Sequence, residues 1–344
     1  MNRLERAVRG VDAFQQRHLA TALGLGLVKK YGDDNAGSLV STLAHSAFGS
    51  IFPLLLFLVT ILGMILGSHS HLRAQVLHSA IVQFPIIGNG LQKNITALHN
   101  NSVLGLTVGL AGTIWGSLGL AQNGIFTMMQ VWNLPGTARP NYPKRLARSL
   151  AFLAVLGLGL IATTFLVNVV PRLATGAGIT VGSAAVSGLV NCAEYLVAFR
   201  ILTPGTIRLR QLVPGAVAGG VGWTVLEEVG GLIVSHYLRN DSAVYGLFGI
   251  VLGLFAWVYI AVEMTVYAAE LNVVLARRLW PRAIVQPPLT RADRRSMAAQ
   301  AIQNRRRPEQ HVRVTFDGEA QTQDRFLAEL DRRAAGDATD RPAR

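Results

Sequence analysis

VYGLFGIVLGLFAWVYIAVEMTVYAAELNVVLA, residues 244–276, is too long and too apolar for a surface helix of a soluble domain. At 1.5 Å per residue it reaches about 50 Å, more than the roughly 30 Å hydrocarbon core of a bilayer, so it is expected to span a membrane. Steps of three and four along it pick out Gly246, Gly249, Gly253, Ala256, Ile260, Glu263, Tyr267 and Glu270, a single stripe of small residues and both carboxylates. Carboxylates are costly in lipid and small residues admit a neighbouring helix closely, so this stripe is expected to make the helix an inward-facing wall of a bundle.

Working outward, the composition agrees. Of the 344 residues, 51% are hydrophobic and 15% are charged, with mean hydropathy +0.37, an excess of apolar surface for a soluble protein. The net charge of +13 is concentrated at the two ends and in short loops, the placement that membrane topology requires and not that of a nucleic-acid binder, so no nucleic-acid partner is expected. The lone Cys192 excludes an intrachain disulfide and a thiolate metal cluster. No apolar core closely follows the charges of the opening MNRLERAVRGVDAFQQRH, which therefore does not read as a signal peptide.

The resulting expectation is an all-α membrane protein of six transmembrane helices, at about 39–66, 102–132, 149–170, 179–201, 213–237 and 244–276, within a membrane domain covering 35–280. Residues 1–34 carry Leu4, Ala7, Val8, Val11 and Phe14 at helical spacing among arginines, an amphipathic helix lying on the membrane or packed on the protein itself. Residues 281–344 are rich in Arg, Asp, Gln, Ala and Pro and offer little to bury, which predicts a disordered basic tail. The Arg/Lys-rich loops fall on one side, which predicts a multi-pass protein of a bacterial cytoplasmic membrane with both termini cytoplasmic. Membrane lipids are the expected partners, with anionic lipid contacts from the Arg-rich termini; oligomeric state is not encoded.

Gly105, Gly109, Gly112 and Gly116, with Gly119, repeat at steps of four and three inside an apolar helix. They read as helix-packing positions like Gly246, Gly249 and Gly253, and not as a phosphate-binding loop. His69, His71, His78 and His99 fall in the semi-polar run 68–100, an interfacial or re-entrant segment, without the neighbouring acids or Cys of a metal site. No catalytic group, metal or cofactor is expected. Polar function is assigned instead to intramembrane glutamates: Glu194 in the fourth span, Glu227 and Glu228 in the fifth, Glu263 and Glu270 in the sixth. No Lys or Arg stands at their depth in these spans, and adjacent Glu227 and Glu228 cannot both face one interior. They line a polar path between helices or, alternatively, fix helix register.

Pro214, Gly215 and Ala216, then Tyr237, Tyr245, Gly246, Trp257, Val258, Tyr259 and the run Ala268, Ala269, Glu270, Leu271, Asn272 resemble the C-terminal half of the YihY/BrkB family of bacterial inner-membrane proteins. Residues 41–53 and Val131 with Trp132 are similar to its earlier spans; Ala268 stands where the family usually has Gly, and Glu263 is an extra acid. The resemblance implies a six-helix inner-membrane protein tied to envelope integrity, with transport of a lipid, precursor or small solute as one role and a non-transporting scaffold as another. Some members carried a ribonuclease label. Glutamates held in apolar helices and scattered histidines do not fit metal-assisted RNA hydrolysis, so no enzyme is expected.

Overall fold

The computed structural model describes residues 3–66, 102–173, 177–237 and 246–316. Among them every regular element is a helix. The order is α1 (Arg3–Arg17), α2 (Leu19–Asp33), α3 (Ala36–Leu66), α4 (Ser102–Val131), α5 (Tyr142–Leu173), α6 (Ala177–Leu202), α7 (Val213–Tyr237), α8 (Gly246–Arg277) and α9 (Arg291–Gln303). Short 3-10 turns at Gly136–Ala138 and Leu209–Gln211 precede α5 and α7.

The opening stretch of the sequence forms α8 as one unbroken helix, and it packs against α7, α3, α2 and α4. Its buried face carries Leu254, Val258, Ala261, Val266, Ala268, Ala269, Glu270 and Val273, whereas Ile260 from the expected inward stripe is exposed. The main core sits where α4 and α6 end and α7 begins: Ile125, Met128, Trp132, Phe199, Leu202, Leu212 and Ala216 close on Val266, Val273 and Val274 of α8. Two helices finish there in the same way. Asn133 (φ 45°) ends α4 with Leu134 N–H donating to Met129 O at 2.9 Å, and Arg278 (φ 51°) ends α8 with Leu279 N–H donating to Val274 O at 3.0 Å. Both are left-handed C-terminal caps closed by a six-to-one bond.

Three expectations are corrected. Among the described residues two helices are long and apolar enough to cross a membrane, Ala185–Leu202 and Val251–Arg277, where six spans were expected. The six-pass, cytoplasmic-membrane topology with both termini on one side, which rested on that count, falls with it. The amphipathic membrane-surface helix is corrected too. Among the described side chains of α1, Asp12 and Gln15 are buried while Val11 and Phe14 are each 59% exposed, so polar contacts seat the helix against the protein.

The third correction concerns the tail, whose first part is ordered. Arg282, 2% exposed, pairs with Asp33 of α2 at 2.8 Å and with Asp293 of α9. Asp293 also accepts from Ala283 N–H at 3.0 Å and from the Thr290 hydroxyl at 2.8 Å, while Thr290 Oγ1 accepts from Asp293 N–H at 3.1 Å, a reciprocal cap that starts α9. Ser296 Oγ donates to Asp33 at 2.8 Å, and Gln15 Nε2 donates to Arg282 O at 2.6 Å. Composition missed this strap because paired charges and close-packed alanines, Ala283, Ala292, Ala298 and Ala299, hold it in place of large apolar side chains. The rest of the expected tail, 317–344, and the histidine-bearing run 68–100 lie outside the described residues.

Burial by itself raises the Asp293 carboxyl, but hydrogen bonds from Ala283 N–H, Arg282 and Thr290 outweigh it and hold the group below the ordinary carboxylate value. A carboxylate depressed in the folded state contributes stability that is full above its unfolded value and is lost as pH falls through the folded one. Amide exchange across 281–303 is therefore expected to accelerate below about pH 4, and Asp293→Asn to exchange fast already at neutral pH. Gly215 gives a second test. A Cβ there would meet Ala268 O and the Asn272 side chain, whereas Gly119 has open space. Gly215→Ala is expected to lower thermal stability by about 1–3 kcal/mol, and Gly119→Ala to leave the melting curve in place or raise it.

Candidate functional site

Lys30 lies on the last turn of α2 and is fully buried. Its ammonium contacts the Asp34 carboxylate one turn on, approaches Glu270 Oε2 of α8 at 3.2 Å, and donates to Val131 O at the end of α4 at 2.9 Å. Each contact has a cause. The i, i+4 spacing sets Lys30 and Asp34 on one face. The last carbonyls of a helix lack intrahelical partners and carry its negative end, so a cation is favoured at Val131. A second cation does the same one residue later: Arg277 of α8 donates to Trp132 O and holds its guanidinium 6.0 Å from the Trp132 ring centre. Glu270 accepts no directed hydrogen bond, so its tie to Lys30 is a charge contact.

This reverses the sequence expectation that no basic group reaches the depth of the glutamates. Lys30 comes from the segment assigned to the N-terminus, some 240 residues before Glu270. The available signal was the run Lys29, Lys30, Tyr31, Gly32, Asp33, Asp34, with two cations each four residues ahead of an acid, flanked by apolar residues. Around it the α7 start closes onto α8. Gly215 N–H donates to Asn272 Oδ1 at 2.6 Å, with Ala268 O against the same glycine.

The other glutamates lie elsewhere. Glu263 is half-buried and accepts a long 3.5 Å contact from the Tyr31 hydroxyl, whose ring stacks on Tyr267 with centroids 4.3 Å apart. Glu227, half-buried between α6 and α7, accepts from Trp223 Nε1 at 2.7 Å and lies 3.5 Å from Asn191 Nδ2, which also donates to Thr224 Oγ1 at 3.0 Å. Glu194 of α6 lies in the same layer, its carboxyl against Gly159 of α5. Tyr195 connects this layer to α8 by a 2.9 Å bond between its hydroxyl and Thr265 Oγ1. Glu228 is exposed. Among the described residues, neither Glu194 nor Glu227 forms an ion pair with a basic side chain, and no group of three or more His, Cys, Asp or Glu could hold a metal.

Of the expected packing glycines, Gly116 meets Ser50 of α3, and Gly112 and Gly253 are half-buried. The surroundings of Gly105, Gly109, Gly246 and Gly249 lie outside the described residues. Close approaches also occur along α7: Gly219 and Gly220 against Tyr195 and Cys192 of α6, Gly222 and Gly230 against Met264 and Trp257 of α8.

Several of the residues that carried the family resemblance thus meet near one junction: Val131 and Glu270 close on Lys30, and Gly215 closes on Ala268 and Asn272 of the same α8 run. The model of the family described as Virulence factor BrkB matches residues 27–291. The chain belongs to this family. The BrkB match takes in Lys30, Asp34, Glu270 and Arg282 and leaves α1 and nearly all of α9 outside it. One curated relative is the "Putative ribonuclease-like protein YfkH" of Bacillus subtilis (strain 168), 26% identical over an alignment of 269 residues that covers 73% of this chain and 94% of that protein. No solved structure matches.

Removing one partner of a buried ion pair strands the other, at a cost of about 3–5 kcal/mol. Lys30→Met is expected to destabilise by that order in thermal unfolding of the purified chain. The double variant Lys30→Met with Glu270→Gln is expected to recover part of the loss, and simple additivity of the two single variants would show that the pair is not coupled.

Proposed function

We propose that this BrkB-family protein moves a polar envelope solute, such as a lipid, a precursor or a small molecule, past the carboxylates held between α6, α7 and α8. The observation that carries the reading is the contrast between two kinds of glutamate. Glu270 is sealed against Lys30, as a structural charge should be. Glu194 and Glu227 are half-buried in neighbouring helices, flanked by the neutral donors Asn191, Thr224 and Trp223, and have no cation among the described residues. Polar groups inside membrane helices mark substrate or proton routes when their charge is not already met. Two membrane-length helices, one carrying Glu194 and the other Glu263 and Glu270, support a membrane setting for that route. In this reading Glu263, with the Tyr31 hydroxyl beside it, stands at one end of the path, and Glu228 lies outside it.

Single cysteines at positions 194, 227 and 270 in a Cys192→Ser background test it, labelled from each face of sealed vesicles with a membrane-impermeant thiol reagent. Cysteines at 194 and 227 are expected to react, and one at 270 to stay protected. If 194 and 227 are as unreactive as 270 from both faces, the transport reading fails, and a non-transporting scaffold becomes the better account of these glutamates.

A further inference from the structure

Residues 133–148 and 200–212, the connections around the starts of α5 and α7, contain seven Lys and Arg residues, four in the first and three in the second, and not one Asp or Glu. Helix packing brings two of these arginines, Arg148 and Arg200, toward the same end of the α5–α6 pair, with Arg145 one turn before Arg148 on α5. α5 and α6 run antiparallel, with the Glu194 carboxyl seated where Gly159 has no side chain. Counting from that contact, Arg148 stands about 16 Å back along α5 and Arg200 about 9 Å on along α6, toward the same end. Ser149, next to Arg148, is fully buried, and Phe152 one turn on packs into the cluster that holds Phe199 and Leu202. Burial, and then the nearby like charge of Arg200, lower the pKa of Arg148.

The guanidinium donors here are incompletely used. Arg148 Nη1 and Arg145 Nε are buried without an acceptor among the described residues, as is the hydroxyl of Thr203 just after α6. Arg200 spends one nitrogen on Ile207 O at 2.8 Å, and Arg145 lies over the Tyr142 ring at 5.4 Å. A merely solvated basic loop would leave such donors in water, and buried donors without acceptors cost free energy. Two guanidinium groups held close together with no acid nearby call for an anion with acceptor oxygens pointing in several directions. Phosphate meets that demand, since its tetrahedral oxygens accept from guanidinium forks on more than one side. The first turn of α5, with its unpaired N–H groups, adds to the positive end.

We propose that Arg145, Arg148 and Arg200 form a binding site for a phosphate-bearing anion, either inorganic phosphate or the headgroup of a phospholipid. The site is separate from the carboxylate layer and does not depend on transport along it.

The test is thermal unfolding of the full chain in a phosphate-free detergent, titrated separately with inorganic phosphate, with short-chain phosphatidylglycerol, and with sodium chloride at matched ionic strength. At least one phosphate ligand is expected to raise the melting temperature saturably beyond chloride. Response to inorganic phosphate identifies a free anion, and response to phosphatidylglycerol alone identifies a headgroup. Arg148→Gln is expected to weaken the apparent affinity at least tenfold. Arg145→Gln, at a residue less engaged in the helix interface, is expected to do likewise and carries the test if Arg148→Gln does not fold. Lys144→Gln, at an exposed position of the same turn, is expected to change it less than twofold. The proposal is overturned if neither ligand exceeds chloride, if both arginine variants that fold bind as the parent does, or if Lys144→Gln weakens binding as much as they do.

Discussion

A single buried ammonium sets the terms for this fold. Lys30 has been taken wholly out of water, and what offsets its desolvation is the simultaneous approach of Asp34, Glu270 and the last free carbonyl of α4. These groups come from separate helices. For Lys30 to be satisfied, the end of α2, the end of α4 and the middle of the C-terminal half of α8 must occupy one place together. Arg277 repeats the principle one residue along α4, so two cations from different helices hold the same helix end. Apolar packing surrounds this junction, with Trp132, Val131 and Val273 buried beside it. Packing supplies bulk stability, while the charges specify register.

The junction continues into the strap through two adjacent residues. Asp34 faces Lys30 and accepts from Asn133 at 3.0 Å, whereas Asp33 faces Arg282 and Ser296. The end of α2 is therefore a hub with a helix-bundle side and a C-terminal side. Asn133 connects them a second time, since it also donates to Gln303 of α9 at 2.9 Å. Glu194 and Glu227 stand apart from this hub, and among the described residues the hydrogen-bond partners of Glu227 are neutral.

Much of the helical architecture could be read from the sequence, because it rests on local periodicity. The long apolar run became α8, and the glycines of α4 include one, Gly116, that meets a neighbouring helix closely. The family motifs were legible as residues but not as a cluster. What escaped the reading has a common physical origin. Lys30 pairs with a glutamate far along the chain, and Arg282 with Asp33 across 249 residues, and neither pairing leaves a periodic trace. The strap has the composition of a disordered segment because its order comes from matched charges and small side chains. Six spans were expected from apolar runs of spanning length, and among the described residues two qualify, while the glycines of α7 were not read as packing positions. In α7 those glycines serve close approach to two neighbours at once, a role that their uneven spacing concealed.

The strap also bears on how the protein is made. Asp33 is synthesised near the beginning of the chain, and its partners Arg282, Ser296 and Gln300 are among the last described residues to be added. A ribosome adds roughly 5–20 residues each second, so the end of α2 waits on the order of ten seconds or more for its charge partners. Throughout that interval the helices can assemble around α2, but its outer carboxylate has only water to face. Completion of the bundle is thereby made dependent on the arrival of the C-terminal segment, and a chain halted before Arg282 leaves the ribosome with this hub half made.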